Sequence, residues 1–144
     1  MRWMRTGLVL LLAVFMAFMG VQKFGAANPV FQYIAEQSGI GLFEPVVRIA
    51  VGVAEIAAAI LLLAGLVRPG LRQWGALLAA GVTGGALLFH LSPWLGTTAP
   101  VAFDEAGGYV FSPMLFAMAL PFGAIAVLVL WLERGAAIER KQAD

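Results

Sequence analysis

Residues 44–66 read EPVVRIAVGVAEIAAAILLLAGL, an apolar stretch that carries Glu44, Arg48 and Glu55. As a helix rising about 1.5 Å per residue it runs roughly 33 Å, near the thickness of a bilayer core, and so reads as a transmembrane span. The three ionisable residues are spaced by four and seven, which puts them on one narrow face of that helix. Charge facing lipid costs several kcal/mol, so the face is expected to turn inward, toward other helices or a wet cavity. The rest of the chain then reads as its housing.

Composition agrees. Hydrophobic residues make up 62% of the 144 and charged ones 12%, against roughly 45–50% and 25% in soluble domains. This predicts an integral membrane protein of one domain, with four spans and no separate soluble module. A net charge of +1 without a basic stripe argues against a nucleic-acid partner. The chain has no cysteine, which excludes disulfides, thiol catalysis and iron–sulfur ligation by its own residues.

The expected fold is an all-α four-helix membrane bundle, with spans at about 6–24, 44–66, 71–91 and 113–132. The first span follows a short basic head. A cleaved signal peptide is the competing reading, disfavoured by the length of the apolar run and by Lys23 just before the small residues Gly25-Ala26-Ala27. Val30, Phe31 and Ile34 share one face against Gln32, Glu36 and Gln37, so a short interfacial helix is expected between spans 1 and 2, started by Asn28-Pro29 and stopped by Ser38-Gly39. Glu44-Pro45 and Ser112-Pro113 read as cap-plus-proline starts of spans 2 and 4. Pro121 predicts a kink in the fourth span. Gly81 and Gly85 form a GxxxG pair, expected to serve close helix packing within the chain rather than a dimer seam. Residues 133–144 read as a charged, solvated tail.

Arg2 and Arg5, Arg68 and Arg72, and Arg134, Arg140 and Lys141 fall on one side of such a bundle, the cytoplasmic side by the positive-inside rule. Both termini are then cytoplasmic, in the inner (plasma) membrane. Trp94 and Tyr109 suit the outer interface and Trp3, Trp74 and Trp131 the inner one. The topology gathers Lys23, Glu44, Arg48, Glu55 and His90 into one outward-opening polar pocket. Glu44 and Arg48 suit an i, i+4 pair, whereas Glu55 needs a partner from another helix.

Gly20-Val21-Gln22-Lys23-Phe24, Arg48-Ile49-Ala50-Val51-Gly52-Val53-Ala54-Glu55 and Phe89-His90 together resemble the DoxX-like family of four-helix membrane proteins. The resemblance covers the first three spans, the fourth matching only in hydrophobicity, and the loop bearing Asp104, Glu105 and Tyr109 has no counterpart in it. It implies a four-helix fold and an association with quinone-linked oxidoreduction or, more distantly, with chaperoning of receptor assembly.

Each singled-out residue also has a plainer reading. Arg48 and Glu55 are either a packing network or a ligand and proton site. His90 serves as an interfacial anchor or as a ligand. Met16, Met19, Met114 and Met118 read as core filler rather than a metal path, Asp104-Glu105 as solvated loop, and no clustered His and Cys set supports a metal site. Two functions stay open. One is a membrane subunit of an oxidoreductase, with a quinone or similar lipid-like molecule in the pocket and with electrons passing through bound cofactors or a protein partner. The other is a non-enzymatic assembly factor that docks a client helix.

Overall fold

The computed structural model describes residues 2–143, and their side chains over residues 3–136. Arg2, Arg140 and Lys141, which contribute to the charge asymmetry above, lie outside the described side chains. The chain is mostly helical: α1 (Arg2–Val21), α2 (Pro29–Ser38), α3 (Val46–Ala64), α4 (Pro69–His90) and α5 (Met114–Ala143), with a short hairpin of β1 (Ala99–Phe103) and β2 (Tyr109–Ser112) before α5. The segments Trp3–Phe24, Gly41–Ala64 and Met114–Ala136 are long and apolar enough to cross a membrane. Their outward surfaces carry exposed Leu11, Val14, Phe18, Val53, Ile60 and Val127, as lipid contact requires. Helix α4 is as long, but Arg72, Gln73 and its many glycines make it less apolar.

The core follows from helical spacing. Val9, Leu12, Ala13 and Met16 on α1 meet Ala58, Ala59 and Leu62 on α3, Ala76 and Ala79 on α4, and Ala126 and Val129 on α5. Close approach depends on particular glycines. A Cβ at Gly20 would lie 2.9 Å from Ile56 Cγ1, and one at Gly75 would lie 2.8 Å from the backbone nitrogen of Leu62. Gly81 and Gly85, by contrast, have nothing within 4 Å of where a Cβ would stand. The GxxxG pair therefore does not pack a helix within the chain, contrary to expectation; it keeps space open where α4 borders a cavity.

Asn28 caps α2 as expected, its Oδ1 accepting from the backbone N–H of Val30 at 3.1 Å and of Phe31 at 3.4 Å, and Gly39 ends it at φ +70°. Buried Ile34 joins α2 to Leu95 and Ala99, so α2 and the hairpin form a cover over one end of the bundle. That hairpin departs from the all-α expectation. Ala99-Pro100-Val101-Ala102-Phe103 and Tyr109-Val110-Phe111-Ser112 pair antiparallel, rich in the β-branched and aromatic residues that favour strands. Asp104 is structural rather than merely solvated: its Oδ1 accepts from Ala106 N at 2.9 Å and Gly108 N at 2.7 Å, and Gly107 takes φ +83° to close the turn.

Two further expectations are corrected. Glu44 does not cap α3, which starts at Val46 after Pro45; its carboxylate is committed to Arg48 instead. The tail from Glu133 is not solvated throughout, because α5 continues to Ala143 and Glu133 is only 1% exposed. Pro121 lies inside the unbroken α5.

Candidate functional site

Between the helices, under the cover of α2 and the hairpin, lies a cavity of about 710 Å³. Its walls are mostly apolar, with Met16, Met19, Met114 and Met118 contributing unbranched, adaptable side chains. Lys23, Glu55 and His90 enter it, along with Gln22, Asn28 and Thr83. Phe15 and Phe122 stack across the α1 and α5 gap with centroids 3.6 Å apart, Phe15 itself forming part of the wall.

Lys23 continues the buried stripe of α1 into the one-turn 3-10 helix Gln22–Phe24. Its long stem turns back along the helix, and Nζ donates to Met19 O at 3.1 Å. The same Nζ lies 2.7 Å from Glu55 Oε2, with the two side chains 8% and 6% exposed. This is ion-pair contact without hydrogen-bond alignment, so Glu55 Oε2 is buried without accepting a hydrogen bond. The α1 and α3 backbones come close enough for this pair because Gly52 faces Lys23: a Cβ there would lie 2.9 Å from Lys23 Cβ.

His90 is buried at the C-terminal end of α4, where its Nδ1 is 2.9 Å from Gly96 O. A carbonyl only accepts, so Nδ1 carries the hydrogen, and in the neutral ring Nε2 keeps its lone pair. Gly96 can present that carbonyl because it takes φ +75°, a conformation that favours glycine.

Arg48 and Glu44 stand apart from the cavity wall. Arg48 Nε donates to Glu44 Oε1 at 2.7 Å, while Nη1 donates to Gly25 O at 2.8 Å and to Lys23 O. These carbonyls follow the end of α1, where helical geometry leaves acceptors without partners and a partial negative charge. Arg48 is thus a C-terminal cap supplied from another helix, held in place by Glu44. It fixes the backbone of Lys23 and so positions the Lys23 side chain. The five residues expected in one pocket are divided into a cavity set, Lys23, Glu55 and His90, and an adjoining staple, Glu44 and Arg48.

The opposite end carries a second buried cluster that sequence reasoning missed. Glu133 accepts from Arg5 Nε at 2.6 Å and Arg5 Nη2 at 2.8 Å, and Arg72 Nε lies 3.2 Å away. The signal was present: Glu133 extends the buried stripe Ala119, Ala126 and Val129 of α5 at helical spacing. Among the described residues no group of three His, Asp or Glu side chains could hold a metal ion.

In the cover, the Tyr109 hydroxyl is buried without a hydrogen bond of normal geometry. Burial first, then the neighbouring Glu36 carboxylate and Tyr33, push its ionisation up to about 12.

A mostly helical chain with several bilayer-length apolar helices, lipid-facing side chains outside and buried ion pairs within is a multi-pass membrane protein. The model of the DoxX-like family matches residues 7–132, most of the chain, and the protein belongs to that family. No curated protein and no solved structure was found to match it.

Proposed function

We propose that this protein is the membrane subunit of a quinone-linked oxidoreductase system, and that its cavity holds a quinone or a similar lipid-like ring compound. The observation that carries this reading is the cavity of about 710 Å³, apolar on most of its wall but holding the Lys23–Glu55 pair and His90. Small-molecule sites typically enclose about 300–1,000 Å³ of mostly apolar space with a few convergent polar groups. A quinone carbonyl accepts hydrogen bonds, which Lys23 Nζ can donate. A quinol hydroxyl donates them, which Glu55 or the lone pair of His90 Nε2 can accept. Reduction of such a ring takes up electrons and protons together. The protons pass through Glu55, and the electrons come through a bound cofactor or a protein partner, since a chain without cysteine ligates no iron–sulfur centre.

In this reading the protein is one membrane domain in the inner membrane, with α1, α3, α4 and α5 as four spans and both termini cytoplasmic. Support for α4 as a span is its 22-residue length and its packing between α3 and α5. Support for the orientation is the basic residues at the α1 start, the 65–68 turn and the end of α5. A cysteine placed at Thr97 is then labelled from outside intact cells, and one at Gln142 is not; labelling of Gln142 alone reverses the orientation.

The experiment for the function is a solvent extract and absorption spectrum of the purified protein. Co-purifying quinone supports the reading. An extract free of quinone, together with no binding of added quinone, removes it. One observation favours the second reading, an assembly factor that docks a client helix: an apolar groove between α4 and α5 where the small residues Ala80, Gly84, Gly123 and Ala124 lie beside the larger Leu87, Val127, Leu128 and Trp131. Crosslinks from Gly84 to another membrane protein, with no extractable ligand, would favour it.

A further inference from the structure

The cluster around Glu133 is unbalanced. Two guanidinium groups meet one carboxylate, and Arg5 already occupies both of its oxygens, at 2.6 and 2.8 Å. Arg72 approaches the same carboxylate at 3.2 Å but makes no hydrogen bond to it, leaving Nε buried without an acceptor. Arg68 and Arg134 lie near in sequence and are exposed, so among the described residues this end carries four arginines against the single buried carboxylate. Nor does α4 relieve the excess: its N-terminus, three residues before Arg72, has no side-chain cap and no acidic residue in its first turn. Positive charge, one unmet side-chain donor and a helix N-terminus without a side-chain cap therefore converge on one place.

The surroundings say what kind of anion reaches it. Trp3 is two residues from Arg5, Trp74 two from Arg72 and Trp131 two from Glu133, and the three indoles are 83%, 63% and 70% exposed. Exposed tryptophans ringing one end of a membrane bundle mark the level of the lipid headgroups. At that level the abundant anion is a phosphate diester, whose oxygens match the fork of an arginine.

We propose that Arg72, with Arg5 and the uncapped start of α4, binds the phosphate of an anionic phospholipid headgroup, and that Glu133 holds the two guanidinium groups in place for it. The site is independent of the cavity and of which side of the membrane this end faces. Its ligand bears net negative charge, so phosphatidylglycerol should be preferred over zwitterionic phosphatidylcholine, whose choline would meet a cationic surface.

The test uses the full chain in mild detergent, with mixed micelles of phosphatidylglycerol or phosphatidylcholine, read by native mass spectrometry and by melting temperature. Phosphatidylglycerol should be retained on the protein and raise its melting temperature, and phosphatidylcholine should do neither. Arg72→Gln should weaken phosphatidylglycerol retention about fivefold, the effect expected of one basic residue at an anionic surface. If Arg72→Gln fails to fold, competition between the two lipids on the unaltered chain decides. Equal retention of both lipids, or equal protection by free inorganic phosphate, would overturn the proposal.

Discussion

Lys23 Nζ and Glu55 Oε2 meet at 2.7 Å across the α1 and α3 interface, each side chain less than a tenth exposed, at the wall of the cavity roofed by α2 and the hairpin. Both groups have left water; Lys23 Nζ donates one hydrogen bond, to Met19 O, and Glu55 Oε2 accepts none of normal geometry. A pair held this way is costly to break from one side and cheap to remove as a unit.

Lys23→Met should therefore destabilise the protein by about 3–5 kcal/mol, because Glu55 stays behind unpaired. The double variant Lys23→Met with Glu55→Leu should recover most of that loss. Thermal unfolding in detergent measures both, and simple additivity of the two single effects would mean the charges do not act as a pair.

Arg48→Ala removes the partner of Glu44 and the donor to the carbonyls of Lys23 and Gly25 together. A loss of about 3–5 kcal/mol is expected, against less than about 0.5 kcal/mol for Glu105→Ala in the exposed hairpin turn. Equal melting temperatures for the two variants would mean that Arg48 organises nothing.

How much of this was legible in the sequence depends on which group a side chain meets. The inward face of Arg48 and Glu55 was readable from spacing alone, as was the Asn28 cap with its Pro29 and Gly39, because helix periodicity and capping are local. The partition of the charges was not. Arg48 is satisfied mainly by backbone carbonyls at the end of α1, and a carbonyl leaves no mark in the residue string. Glu133 was misread because charge density beyond the last apolar run outweighed its place in the buried stripe. The hairpin was hidden by Pro100 and by glycines that read as loop, although Asp104 and Gly107 are turn residues. In the same way the GxxxG spelling at Gly81 and Gly85 carries no information about whether a neighbour is present.

That difference between glycines is measurable. Gly75→Ala drives a methyl to within 2.8 Å of the Leu62 backbone, which cannot yield as a side chain could, and should cost about 1–3 kcal/mol. Gly81→Ala meets open space and should be neutral or stabilising by up to about 1 kcal/mol through helix propensity. Melting curves giving the reverse order would contradict the packing described for α3 and α4.

Tyr109 gives the cover a pH dependence of known sign. Its folded ionisation is raised from 10.0 to about 12, so the contribution is fully present below the unfolded value and is lost as pH rises between the two. Between those limits the unfolded chain releases the proton first. The wild-type melting temperature should fall more steeply there than that of Tyr109→Phe, and parallel curves for the two proteins would place the hydroxyl in water.

In the proposed function Glu55 faces the ligand and answers to what occupies the cavity. The most direct measurement is the binding of a short-chain quinone and its quinol to purified Glu55→Gln beside the unaltered protein, with circular dichroism to establish that both are folded. Glutamine keeps the shape and removes the charge, so the account predicts a folded variant whose affinity for at least one of the two ligand forms falls about tenfold, the equivalent of roughly 1.4 kcal/mol and the scale of one charged hydrogen bond. Unchanged binding of both forms, with only the melting temperature altered, would make the Lys23–Glu55 pair a packing device and contradict the account.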